Sequence, residues 1–259
     1  MADLWSQAEI SQNDFLGGRL KFYQPRQGYR SGMDAVLLAA SVPARVGDSV
    51  LELGCGAGVA ILCLGHRVQG TALSGLELQP RYAALAQRNA TENNLELQLE
   101  TGDLAQPPKG LKQQQFDHVL ANPPYFLRAN STKAPDTGRE TAMGEDTPLA
   151  TWVEQAAKRT KPKGTVTFIQ RADRLPELLT QMAKHLGGVT VLPLIPRPGK
   201  PARLVLVQGR KGGRAAFCLR DGWVLHDGSH HDGDRENHSK ATSCVLREGQ
   251  PMPLGEVKV

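Results

Sequence analysis

The rhythm of apolar and polar positions changes at Ser49. The run SVLELG is short, apolar and closed by glycine, as expected of a strand buried on both faces. Helical spacing follows through VAILCLGH, and TALSGLEL reads as a second strand. PRYAALAQRNATENN opens on a proline suited to a first helical turn. LELQLE alternates as a third strand and FDHVLAN is a fourth. Beyond a polar segment at 126–145, a helix is expected over 147–160. KPKG is then expected to turn the chain into the strand TVTFIQ, followed by the helical ADRLPELLTQMAKHL. VTVLPLI and ARLVLVQGR are strand-like runs with no helix between them, which predicts an antiparallel hairpin at one sheet edge. Strands alternating with helices predict an α/β fold, a doubly wound and mainly parallel sheet covered on both faces. Residues 1–48 form a leading segment with one predicted helix at 33–40, expected to fold as a unit with the domain at 49–259.

Composition changes this picture little. A chain of 259 residues, 40% of them hydrophobic, suits one large domain. No apolar run approaches the roughly 20 residues that span a bilayer, and MADLWSQAEISQND is too polar and acidic for a leader. A cytoplasmic protein with no membrane partner is expected. Cys55, Cys63, Cys218 and Cys244 are scattered without metal-ligand spacing, so neither a metal nor a disulfide framework is expected. HDGSHHDGDRENHS, at 226–239, is rich in His and Asp but fits no closed zinc or EF-hand pattern, and reads as a solvated loop.

Charge is more informative. The net charge is +5. Basic residues cluster at Arg19, Lys21, Arg26 and Arg30, and again at Arg197, Lys200, Arg203, Arg210, Lys211 and Arg214. Such clusters suit a phosphate-bearing partner, because each neutralised phosphate releases counterions.

The chemistry begins at Glu52-Leu53-Gly54-Cys55-Gly56-Ala57-Gly58, which follows a strand and opens a helix. Glycines here allow a tight turn and let a ligand lie against the backbone. A dinucleotide loop requires G-x-G-x-x-G to seat a pyrophosphate on the helix N-terminus. Here the third glycine, Gly58, arrives one residue early, and Glu52 would repel an anion but suit a cationic amino-acid moiety. S-adenosylmethionine is therefore favoured over NAD. Glu77 ends the second strand, where a carboxylate accepts hydrogen bonds from ribose hydroxyls. Asp103 follows the third strand, placed for an adenine amino group, with Leu104 against the ring.

Asn122, Pro123, Pro124 and Tyr125 close the fourth strand, at the edge where open α/β sheets bind ligands. The prolines end the strand and stiffen the backbone. An exocyclic adenine amine, or an amide, has a delocalised and weakly nucleophilic lone pair. If the Asn122 side-chain oxygen and the Pro123 carbonyl accept its N–H bonds, the nitrogen is held and enriched in electrons. Tyr125 stacks on the planar group, worth about 1–3 kcal/mol per base in nucleic-acid systems. Orientation then supplies much of the acceleration.

These residues resemble the class I methyltransferases that carry N-P-P-Y and, more closely, the tRNA1(Val) (adenine-37)-N6-methyltransferase family. GYRSGMDAVLLAA at 28–40, PRPGKPARLVLVQGRKGG at 196–213 and the tail at 225–249 carry the closer likeness. The resemblance implies a Rossmann-like sheet of order 3-2-1-4-5-7-6 with its seventh strand antiparallel. It also implies S-adenosylmethionine held by Glu52, Gly54, Gly56, Gly58, Glu77, Asp103 and Leu104, with Asp34 helping to close that site. Asn122 to Tyr125 would meet the target amine. A tRNA would be the partner, a target base being unstacked to reach Asn122, with no protein partner required. Two rivals stand beside it. One is a protein glutamine N5-methyltransferase of release-factor type, for whose helical N-terminal domain the 48 leading residues are few. The other is a non-catalytic RNA-binding module of the same fold.

Overall fold

The computed structural model describes residues 5–127, 144–145, 147–228, 237–252 and 254. Most of the polar segment 126–145 and the middle of 226–239 lie outside them. The leading segment contains more than the expected helix. Strands β1 (Ile10–Phe15) and β2 (Leu20–Pro25) pair as an antiparallel hairpin before α1 (Met33–Ser41). Two sequence signals mark it, the Gly17-Gly18 pair and the alternation of buried Leu20, Phe22 and Gln24.

From Ser49 the expected alternation is found. β3 (Ser49–Leu53), α2 (Val59–Arg67), β4 (Ala72–Glu77), α3 (Pro80–Glu92) and β5 (Gln98–Thr101) come first. A short α4 (Lys109–Lys112) leads to β6 (Phe116–Ala121). The small parallel pair β7 (Phe126–Leu127) and β8 (Gly144–Glu145) precedes α5 (Leu149–Arg159). β9 (Thr160–Arg171), α6 (Leu175–Met182), β10 (Gly187–Ile195) and β11 (Leu204–Arg210) follow. Short β12 (Cys218–Leu219), β13 (Trp223–Val224) and α7 (Lys240–Glu248) end the described chain.

The main sheet runs β5-β4-β3-β6-β9-β11-β10, with β12 and β13 both added on the far side of β10. Counted along the sheet this is the expected order 3-2-1-4-5-7-6, lengthened by two short edge strands. β11 is antiparallel to β9 and β10, forming the expected edge hairpin, while β5, β4, β3, β6 and β9 are parallel. Alternate strand residues feed opposite faces, as the pleat requires. Val50 and Leu206 pack with α1 and α2. Leu51, Val205 and Val207 pack with α5 and α6. Among the described residues no helix is long and apolar enough to cross a membrane.

One local expectation is corrected. KPKG is not a turn ahead of its strand but lies inside the twelve-residue β9. Against β6 the register jumps from Phe116–Thr160 to His118–Thr165, so the extra residues bulge, with Lys163 at φ +67°. Pairing persists because Lys163 N–H donates to Lys211 O and Lys211 N–H to Gly164 O.

Asn89, fully buried on α3, ties the leading hairpin to the glycine turn. Its Oδ1 accepts the Tyr23 N–H at 2.7 Å, and its Nδ2 donates to Tyr23 O at 3.0 Å and Ala57 O at 2.9 Å. Asn89→Ala strands these groups in the interior and is expected to cost about 2–4 kcal/mol. Urea unfolding checks this, and a loss under about 1 kcal/mol would reduce the clamp to a bystander.

Candidate functional site

The carboxyl ends of the parallel strands converge on a cavity lined by residues of the glycine turn, the strand ends and the leading segment. β3 ends in the glycine turn. Gly54 has φ +65°, and a Cβ there would come within 2.6 Å of the Trp152 ring, so both conformation and space require glycine. Gly54 and Gly56 line the cavity. Gly58 does not line it as predicted. It sits at the start of α2 with φ +81°, packed against Ala86 and Leu62, and serves the turn itself.

Both strand carboxylates are nearly buried and face this space. Glu52 reaches the first turn of α2, accepting the Ile61 N–H at 2.9 Å and satisfying one of the orphan donors of that helix end. Burial outweighs that bond and pushes its carboxyl up to about 8. Glu77 accepts the Gly56 N–H at 2.8 Å through one oxygen and the Gln79 N–H at 2.9 Å through the other. Burial raises its carboxyl too. Two proton-hungry carboxylates in one cavity suit a ligand that brings positive charge or hydroxyl donors. Asp103 is exposed at the rim, its Oδ1 accepting the Ala105 N–H, and Leu104 is buried beside it. Leu78, absent from the sequence-level set, offers an exposed apolar surface at the same wall.

The other wall carries Asn122 and Pro124. The Asn122 Nδ2 donates to the Tyr29 hydroxyl at 3.4 Å. Its Oδ1 is buried with no hydrogen-bond partner. A buried orphan acceptor is a cost unless a ligand supplies the donor. Pro123 is buried, and the Pro124 carbonyl faces the guanidinium of Arg174, 3.5 Å away, which is itself paired with Glu177. Tyr125 donates its hydroxyl to Asp34 Oδ2 at 2.7 Å. Burial and the Asp34 charge push the Tyr125 phenol up, and burial raises the Asp34 carboxyl. Asp34 is thus brought to the Asn-Pro-Pro-Tyr turn and is not on the cavity wall. The leading segment contributes Tyr29, Ser31 and Ala35 to that wall. Trp152 of α5 completes it, with its indole Nε1 buried and unpartnered.

The basic residues divide. Leu204 pairs with Arg171 at the carboxyl end of β9, so Arg197, Lys200 and Arg203, just before it, lie at the cavity edge of the sheet. Lys200 and Arg203 are exposed, and Arg197 is half-buried, with its guanidinium on the Asp227 and Gly228 carbonyls. Arg210 and Lys211 lie at the opposite edge, and their placement with the others in one binding surface is corrected. Arg210 pairs with Thr165 near the bulge, and β11 separates the two groups by roughly 20 Å. Lys211 Nζ is spent on the Ala157 and Thr160 carbonyls at the end of α5.

Residues 32–192 match the family described as methyltransferase small domain. A relative from Actinobacillus succinogenes, named tRNA1(Val) (adenine(37)-N6)-methyltransferase, is 30% identical over 204 residues, 77% of this chain and 84% of its own length. A Haemophilus influenzae protein of the same name is 31% identical over 200 residues, 76% of this chain and 83% of its own. Among solved structures, a predicted O-methyltransferase from Agrobacterium tumefaciens matches with TM-score 0.68 at 23% identity, covering 85% of this chain and 98% of that one. The 16S rRNA N2 G1207 methyltransferase of T. thermophilus, solved with AdoMet and guanosine, matches with TM-score 0.52 at 20% identity, over 78% of this chain and 50% of that one. At such identities these structures speak for the fold.

Proposed function

The chain belongs to the methyltransferase small domain family, alongside the tRNA1(Val) (adenine(37)-N6)-methyltransferases, and on that premise we propose its reaction and substrate. The reaction is methylation by S-adenosylmethionine of the N6 amino nitrogen of an adenine in tRNA, in the anticodon-loop region, by a cytoplasmic enzyme. The observation that carries it is the buried, unpartnered Oδ1 of Asn122 on the wall of a cavity that also presents Glu52 and Glu77.

The cavity suits the cofactor chemically. Glu52 would face the cationic amino-acid end, Glu77 the ribose hydroxyls, and Asp103 with Leu104 and Leu78 the adenine. S-adenosylmethionine, when bound, supplies an electrophilic methyl group. The protein's part is positioning. Asn122 Oδ1 and the Pro123 carbonyl accept the N–H bonds of the target amine, which enriches its lone pair and fixes its direction. Tyr125 lies under the base plane. The proton leaves after transfer, so no side chain is required as a base.

A glutamine amide offers the same planar N–H group. The relatives' names and the exposed Lys200 and Arg203, at the same edge of the sheet as the cavity, support the RNA. Incubation with labelled cofactor and either tRNA transcripts or release factor separates the two. Label in tRNA, recovered as N6-methyladenosine, is expected, and label in the protein alone would sink the proposal. A double charge reversal, Lys200→Glu with Arg203→Glu, is expected to weaken tRNA binding and to flatten its log–log salt dependence by about 1–2. Arg214→Glu, at the far edge, is expected to leave that slope unchanged. Equal effects at both edges would remove the assignment.

A further inference from the structure

Asn122 can serve as an acceptor only in one orientation of its amide. Turned over, it would present Nδ2 to the cavity, and two donors would then face each other. Its neighbour across the turn is Tyr29, 93 positions away in sequence. Tyr29 is itself held at the backbone. Its N–H donates to the Tyr82 hydroxyl at 2.9 Å, and that hydroxyl donates in turn to the Tyr29 carbonyl at 3.2 Å. Tyr82 is buried on α3, so the clamp is anchored in the core. Two residues on, Ser31 is held the same way by Gln24, which accepts its N–H at 2.8 Å and donates to its carbonyl at 3.3 Å. The Tyr29 ring lies 3.8 Å from where a Gly56 Cβ would be, across the glycine turn.

The hydroxyl of Tyr29 stays protonated. Burial pushes it up to about 12, helped by the negative charges of Asp34, Glu52 and Glu77. The protonated phenol oxygen keeps a lone pair to accept from Nδ2. The second polar end of the same turn is treated alike, since Asp34, on the first turn of α1, accepts the Tyr125 hydroxyl.

From this geometry we infer that Tyr29 and Asp34 are positioning residues. Tyr29 fixes the Asn122 amide with Oδ1 toward the target nitrogen, and Asp34 fixes the plane of Tyr125. The inference rests on the amino-nitrogen reading above and assigns the leading segment a part in the target side of the site.

Tyr29→Phe keeps the ring over Gly56 and removes the hydroxyl. A fall in kcat of roughly 10–100-fold is expected, in line with misplacement of about an ångström, with the cofactor Kd changed less than about threefold. In an Asn122→Ala background the same change is expected to have no further effect on kcat beyond about twofold, because residues acting as a unit are not additive. Asp34→Ala is expected to show a similar loss in kcat, and Asp34→Asn, which keeps an acceptor, to restore most of it. The readout independent of turnover is the side-chain amide resonance of Asn122, assigned by its loss in Asn122→Ala. Tyr29→Phe is expected to shift or broaden it. An unchanged resonance overturns the inference whether or not tRNA is the substrate. A wild-type enzyme silent on tRNA alone would count against the substrate proposal only. Full kcat in Tyr29→Phe, or a loss undiminished in the Asn122→Ala background, also overturns it.

Discussion

Asn122→Ala is expected to lower the rate of methyl transfer by about 10²–10³-fold while cofactor affinity stays within a few-fold, the magnitude found when one preorganised polar contact to a reacting centre is removed. The split follows from where the side chain sits. Its Oδ1 has no protein partner, so truncation breaks no bond from that atom in the ligand-free protein. What is lost is the weak 3.4 Å contact from Nδ2 to Tyr29 and the interaction with the Tyr125 phenol, so folding stability should change little. The glycine turn, Glu52 and Glu77 are held by other partners, so the opposite wall remains intact. Asn122→Asp keeps an acceptor and should retain more activity than alanine, although it adds a third carboxylate to a cavity that already raises two. Single-turnover transfer from labelled cofactor to tRNA, with calorimetric titration of the cofactor, checks both halves. A rate within tenfold of wild type would remove Asn122 from the chemistry. A parallel collapse of cofactor affinity would make it a cofactor residue instead.

The cavity wall at the glycine turn was legible in the sequence and the wall at Asn122 only in part, for a physical reason. Gly54, Glu52, Glu77 and Asp103 sit at the carboxyl ends of strands whose apolar runs are unmistakable, and the fold rule for such sheets brings strand ends together. Asn122 and Tyr125 follow by the same rule. Their orienting partners do not. Tyr29 and Asp34 reach them across 93 and 91 residues, and no local period encodes such a contact. Trp152 was hidden for the same reason, since its role against Gly54 depends on how α5 docks. The basic stretch shows the converse failure. Arg203 and Arg210 are close in sequence, but β11 lies between them and carries the chain across the sheet. Neighbours along a strand are therefore assigned to opposite edges. KPKG, with Pro and Gly together, has the composition of a turn, but its pairing to the Lys211 backbone keeps it in the strand as a bulge.

Glu52→Gln is expected to stabilise the ligand-free protein and to cripple cofactor binding. Folding carries the Glu52 carboxyl from an ordinary 4.5 up to about 8, because it leaves water for the cavity wall. Between those two pH values the unfolded chain is ionised at this group while the folded chain holds the proton. The unfolded state thus binds fewer protons, and stability falls as pH rises through that window. At pH 7 the cost is of order 3 kcal/mol. Glutamine abolishes it while its side-chain carbonyl can still accept the Ile61 N–H. The melting temperature should then rise by several degrees at pH 8, at about 2–4 °C per kcal/mol for a chain of this size, and hardly change at pH 5. The same carboxylate must ionise to meet a cation, so cofactor affinity in the wild type should increase with pH up to about 8. In Glu52→Gln it should be lower by about 100-fold at pH 8 and climb less steeply with pH, the remaining dependence belonging to Glu77. Thermal unfolding at pH 5 and pH 8, with titration of S-adenosylmethionine at each, measures all four quantities. A variant that melts lower than wild type at pH 8 would show that capping α2 outweighs the buried charge. Unchanged affinity would show that Glu52 serves the helix alone.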